Sequence, residues 1–277
     1  MQKKIVSFQG IEGAFSDLVC RKFYKDFKTL PCESFQKTLD AVRYNKAHLA
    51  IIPVENNIAG RVADMHFLLE NIKLKIIAEH YHRVEHHLMA KKDSSLKMLK
   101  KVYSHTHALS QCTKKIKKIG LEPVNFMDTA GAAKFVRDNE NKKIGAIASK
   151  LASEIYNLKI LKKNFEDKKE NITRFLVFSK KSINIDRDKK IITSIVFNTK
   201  NLPASLYNAL GGFAQNNINL TRLESFFVNK DFKQFSFIID VESHPDNSGF
   251  KKAKKILKKF SSKVSILGFY AASPFRK

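Results

Sequence analysis

The chain has 277 residues, 43% of them hydrophobic, and 51 basic against 26 acidic side chains give it a formal charge of +25. That length allows two domains of ordinary size with apolar cores, and no apolar run is long enough to span a membrane. Only 9 of the basic residues are Arg and the lysines are scattered, so base-specific nucleic-acid recognition, which favours Arg forks, is not expected; the charge is read as a solvated surface that steers anionic substrates.

Met1–Phe8 lacks the apolar stretch and cleavage site of a signal peptide and reads as a first strand from Lys4. A helix follows over Phe15–Phe27, then a short strand at Thr29–Cys32, a helix capped by Ser34 and running to about Tyr44, and a buried strand at Leu49–Val54. A polar loop precedes a helix expected over Arg61–Asn71. This βαβαβα order predicts a parallel sheet flanked by helices. Lys75–Ala90 is extended and long enough to carry the chain into a second lobe. That lobe has strands at Lys101–Ser104, Glu122–Phe126 and Ile144–Ile147, each followed by a helix: His107–Ile119, Thr129–Asn139 and Lys150–Tyr156. Thr173–Phe178 is a further strand, placed to return the chain to the first lobe. Two α/β lobes leave a cleft between them, a common place for a ligand. Cys20, Cys32 and Cys112 share no metal-type spacing, so a reduced, cytoplasmic protein is expected.

Lys180–Lys190 is a charged linker, and the pattern changes beyond it. Strand Ile191–Thr199, helix Ser205–Asn216, strands Leu220–Val228 and Gln234–Val241, helix Gly249–Phe260 and strand Val264–Tyr270 make a βαββαβ, ferredoxin-like unit. Two domains follow, 1–180 and 191–277.

Four segments carry chemistry. Val54–Gly60 follows a buried strand and precedes the expected helix, the place where open α/β sheets bind ligands. Glu55, Asn56 and Asn57 there suit hydroxyl and carboxylate groups; the plain alternative is a solvated polar turn. The Gly10–Gly13 loop opens the first helix but lacks the ending of a phosphate loop. Ser104, His105 and Thr106 form the strand-to-helix turn of the second lobe. Arg174, beside the Thr173 hydroxyl, has the planar fork that suits a carboxylate, and Phe175 alternates with them toward the core. The pair His86–His87 has no partner at metal-ligand spacing.

Pro53, Glu55, Asn56 and Gly60, followed by Thr173-Arg174-Phe175 and by Leu220-Thr221-Arg222-Leu223-Glu224-Ser225, resemble in this order the prephenate dehydratases, over nearly the whole chain. The Tyr103-Ser104-His105 turn and Gln111-Cys112 are similar to that family as well. Where the family has a hydroxyl residue after the second loop glycine this chain has Ala14, leaving Ser16 to take that bond or to cap the helix. The resemblance implies a two-lobed catalytic region like a periplasmic binding protein and a C-terminal ACT domain. It implies that Thr173 is catalytic, with Glu55 and His105 as possible proton sources, and that Arg174, Asn56, Asn57, Gly60, Ser104 and Phe175 bind prephenate. Loss of CO2 and water would give phenylpyruvate, on the route to phenylalanine, with no metal or organic cofactor. An amino-acid effector site for L-phenylalanine is implied at Pro203, Ala204, Ser205, Leu206, Glu224 and Ser225, although the family's Gly-Ala-Leu reads Ala204-Ser205-Leu206 here. A homodimer or homotetramer, with no membrane or nucleic-acid partner, is expected. An arogenate dehydratase is the close alternative and a non-catalytic amino-acid sensor the distant one. No helical region precedes Lys4, so a single activity is expected.

Overall fold

The structure, a computed structural model, describes residues 3–62, 64–69, 72–185, 188–227 and 235–276. In chain order the first elements are β1 (Ile5–Gln9), α1 (Phe15–Phe23), β2 (Lys28–Cys32), α2 (Phe35–Arg43), β3 (Leu49–Asn56), β4 (Gly60–Arg61), α3 (Asp64–Leu69), β5 (Lys75–Arg83) and β6 (His87–Ala90). Next come β7 (Lys101–Ser104), α4 (Thr106–Ser110), α5 (Thr113–Ile119), β8 (Glu122–Asn125), α6 (Thr129–Asp138), β9 (Ile144–Ala148), α7 (Lys150–Ile155), β10 (Lys159–Lys162) and β11 (Ile172–Ser179). The last are β12 (Ile191–Thr199), α8 (Ser205–Ala214), β13 (Leu220–Phe227), β14 (Phe235–Val241), α9 (Ser248–Lys259) and β15 (Ser261–Ala271). The expected strand and helix ends at Asn71, Val228 and Gln234 lie outside the described residues.

The chain divides into two compact units, one of residues 1–61 and 81–175, the other of 62–80 and 176–277. The first unit is two-lobed, as expected. In one lobe β1 lies between β2 and β3, parallel to both. Val6, Phe8, Ile51 and Ile52 are fully buried there, the near-continuous apolar run that a sheet covered on both faces requires. Ser34 caps α2 by accepting from the Lys37 N–H at 3.1 Å, a bond that stabilises a helix by about 1 kcal/mol. The other lobe is a five-stranded sheet in the order β10-β6-β9-β7-β8, covered on one side by Ala130, Ala133 and Val136 of α6.

Three features differ from the sequence expectation. The helix expected from Arg61 starts later: β4 pairs with β3 as a hairpin, with Glu55 opposite Arg61 and Asn56 opposite Gly60. Gly60 makes that reversal possible at φ +81°, a conformation costly for a residue with a Cβ. The single helix expected over His107–Ile119 is two, α4 and α5, broken at Gln111 and Cys112. The Asp167 carboxylate offsets the break by accepting from the Lys114 and Lys115 N–H groups at the start of α5. Strand β10, not expected, forms because Lys159 and Ile160 pair antiparallel with Ala90 and Met89.

In the second unit β13-β14-β12-β15 form an antiparallel sheet, the order of a ferredoxin-like βαββαβ unit. Phe250, Ala253 and Leu257 are buried on one face of α9 while Lys251, Lys252, Lys255, Lys258 and Lys259 face water, so here the lysines form a solvated helix face. No helix among the described residues is long and apolar enough to cross a membrane.

Candidate active site

The site in the first unit is built where β3 ends and β11 begins. Asn57 ties the two together: its N–H donates to Ile172 O at 3.0 Å, its Oδ1 accepts from the Ile172 N–H at 2.7 Å, and its Nδ2 donates to Glu170 O at 2.7 Å. Both ends of that amide are therefore engaged by backbone. Gly60 closes the hairpin and has open space around its Cβ position.

Asn56 is oriented without ambiguity. Its Oδ1 accepts from the N–H groups of Ile58 (2.9 Å) and Ala59 (2.7 Å), which can only donate. Its Nδ2 must then face β11, where it donates to Asn171 Oδ1 (2.7 Å), Thr173 Oγ1 (2.9 Å) and Ile172 O (3.2 Å). The Ile58 and Ala59 N–H groups are thus taken by Asn56. Thr173 accepts on its oxygen, which leaves its one hydrogen to point elsewhere, and a hydroxyl that accepts a bond is a better donor.

Arg174, adjacent on β11, is 1% exposed, and its Nη1 donates to Glu55 Oε1 at 3.2 Å. Glu55 is 34% exposed at its side chain, so the pair has a sheltered cation and a wetted carboxylate. Phe175 is buried in the core. Thr173, Asn56, Glu55 and Arg174 are therefore brought together, with Asn57 and Gly60 shaping the turn.

The second-lobe turn behaves differently. Ser104 is fully buried and its hydroxyl donates to Ile147 O at 2.6 Å. His105 caps α4: its Nδ1 accepts from the His107 N–H at 3.3 Å, which leaves the ring hydrogen on Nε2. Burial and then the neighbouring His107 push the His105 pKa down, against the pull of Asp128, so at neutral pH the ring is uncharged. The loop between β1 and α1 joins the lobes. Gly13 O accepts from Ser149 Oγ, Glu12 O accepts from Tyr156 Oη, both at 2.6 Å, and Asp17 rather than Ser16 accepts from the Gly13 N–H.

One residue near Thr173 was absent from the sequence reading of the site. Asn171 stands two positions before Thr173 and bonds the same Asn56 amide, and its own Nδ2 donates to Gln111 Oε1 at 2.8 Å. The i, i+2 spacing on an extended segment was the available signal. His86 and His87 have separate partners: His86 Nε2 meets Gln111 Oε1 at 2.9 Å and His87 Nδ1 accepts from the Asn164 N–H.

The family profile described as prephenate dehydratase matches residues 6–183. A protein of Komagataeibacter europaeus named bifunctional N-acyl-homoserine lactone acylase/prephenate dehydratase is 41% identical over 99% of this chain and 98% of its own. Arogenate dehydratase 2 of Petunia hybrida is 33% identical over 96% of this chain and 71% of its own. A solved structure, the prephenate dehydratase of Arthrobacter aurescens in complex with L-Phe, matches with a TM-score of 0.88 and 25% identity over 97% of this chain and 90% of that one.

Proposed function

The chain belongs to the prephenate dehydratase family, which are hydro-lyases, and from that premise we propose that it converts prephenate to phenylpyruvate, CO2 and water. The bond from ring carbon to carboxylate breaks and releases CO2. Its electron pair enters the ring as a π bond, and the C4–O bond breaks with its pair on oxygen. Hydroxide leaves and takes up a proton to become water. Aromatisation drives the reaction, so the protein has chiefly to stabilise the departing oxygen.

The observation that carries this reading is the Asn56–Thr173 bond. Asn56 holds the acceptor side of the hydroxyl, and the Thr173 hydrogen is left to donate to the leaving oxygen as charge builds on it, as an oxyanion donor does. A threonine hydroxyl is too weak an acid to give up its proton outright, so the proton arrives from water or through Glu55. An uncharged His105 is a poorer source at neutral pH. Arg174, sheltered and bonded to Glu55, is the proposed partner of a substrate carboxylate.

Residues 1–180 are the catalytic region in this reading and 191–277 an ACT domain. L-Phenylalanine is the proposed effector, bound around Pro203, Ala204, Ser205, Leu206, Glu224 and Ser225; the L-Phe complex of the Arthrobacter protein supports this. The whole is a cytoplasmic homodimer or homotetramer. The test is phenylpyruvate formation from prephenate, with EDTA present and with or without phenylalanine. Thr173→Ala should abolish turnover with little change in substrate binding, and Thr173→Ser should keep most of it. Full activity of Thr173→Ala would sink the assignment. Arogenate, run in parallel, decides the substrate. A second reading, acylase activity on N-acyl-homoserine lactones, is favoured by the printed name of the 41% identical relative, and homoserine lactone release tests it.

A further inference from the structure

We propose that Asn171 and Gln111 are positioning residues, which with His86 complete a one-directional run of hydrogen bonds that turns the Thr173 proton toward substrate. The inference rests on Thr173 acting as the donor in the reaction proposed above. It follows from which atoms can donate. The Ile58 and Ala59 N–H groups force Asn56 to present its Nδ2 to Asn171 Oδ1 and Thr173 Oγ1. With its Oδ1 facing that donor, Asn171 must present Nδ2 to Gln111. Gln111 Oε1 then accepts twice, from Asn171 at 2.8 Å and from His86 at 2.9 Å. An amide oxygen only accepts, so His86 carries its hydrogen on Nε2.

His86 records the direction of the run in its tautomer, because an imidazole nitrogen can donate or accept. It is 3% exposed, its Nδ1 has no hydrogen-bond partner among the described residues, and the Phe15 ring lies across it at 5.3 Å. Gln111 alone therefore selects its tautomer. The direction of the whole run, set at one end by two backbone amides, is written at the other end in a histidine ring. The step from Asn171 to Gln111 also crosses between the two lobes of the first unit, so the run ties the end of α4 to the Asn56 amide that holds Thr173.

The full chain would be tested by steady-state kinetics on prephenate and by nitrogen NMR of the His86 ring. In the wild-type protein at neutral pH, His86 should be the neutral Nε2–H tautomer. Asn171→Ala should lower kcat about tenfold with KM within about twofold, the scale of one hydrogen bond. Asn171→Asp keeps an acceptor for Asn56, so kcat should stay within about threefold. Its second oxygen makes Gln111 turn over, and His86 should change to the Nδ1–H tautomer. An Nδ1–H ring in the wild-type protein overturns the inference whatever the kinetics. So does Asn171→Ala at wild-type kcat, or a raised KM at unchanged kcat, which would assign Asn171 to binding. Full activity of Thr173→Ala would overturn the functional reading instead, and the His86 tautomer would still decide whether the run exists.

Discussion

Asn56→Asp changes one NH2 for an oxygen and should remove most of the activity while leaving the fold in place. The wild-type Nδ2 donates over 2.7–3.2 Å to three acceptors, one of them Thr173 Oγ1. A carboxylate cannot donate, so the Thr173 hydroxyl would donate to residue 56 and its hydrogen would be withdrawn from substrate. Loss of one such donor in the transition state costs about 10²–10³ in kcat, or roughly 2.7–4 kcal/mol. The turn should survive, because the Ile58 and Ala59 N–H groups would meet a charged acceptor, and charge-assisted bonds are the stronger kind. Melting should shift by no more than about 4 °C, equivalent to about 1 kcal/mol in a domain of this size. The assay is kcat and KM for prephenate with a melting curve beside it. Adding Asn56→Asp to Thr173→Ala should cause no further loss, since the first acts through the second. Asn56→Asp with kcat within about twofold of wild type, in a protein that needs Thr173, would refute the reasoning.

Other expectations concern stability and the second unit. Arg276 forks onto Glu79, whose side chain is fully buried, at 2.7 and 3.1 Å; Arg276→Ala should cost about 3–5 kcal/mol in urea denaturation, and a loss under about 1 kcal/mol would discount the pair. Burial holds both His80 and His82 down at about 4, with Lys22 adding to the effect on His82 and Glu79 opposing it on His80. Unfolded histidines titrate near ~6.5, so the unfolded state binds more protons below that pH. Stability should therefore be complete above about pH 6.5 and fall as pH drops toward about 4, with uptake of about two protons, and an unchanged melting temperature across that window would contradict it. Ala204 stands at φ +59° where glycine would be relaxed. Ala204→Gly should raise stability by about 0.5–1 kcal/mol, net of the glycine's greater freedom when unfolded.

Much of the fold could be read locally. Strand β12 and the βαββαβ order were legible because apolar alternation and helical spacing are properties of short segments, and the Ser34 cap because its partner is three residues away. The features that were not legible depend on distant partners. Nothing near Gln111 says that Asp167 will cap a helix there, and nothing near Lys159 says that Ala90 will pair with it. The site divides in the same way. Thr173, Arg174, Glu55 and Asn56 stood out as a combination of residue types. That Asn56 uses its oxygen on its own turn, and that Asn171 and Gln111 continue its bonds, follows only from the folded geometry.

The discontinuous course of the chain sets the order in which the parts can form. Asn56 meets Thr173 across 117 positions. Ile76 of β5 pairs with Gly268 of β15, and a Cβ on that glycine would lie 2.1 Å from the Ile76 oxygen, so the strand and its neighbour fit only backbone to backbone. During synthesis β5 emerges long before β15 exists, and the edge that β15 will cover has to wait through roughly two-thirds of translation. Contacts of such long range form slowly, and a strand edge left open invites pairing with other chains. Refolding from denaturant should accordingly show early helix signal, late return of activity, and a yield that falls as protein concentration rises.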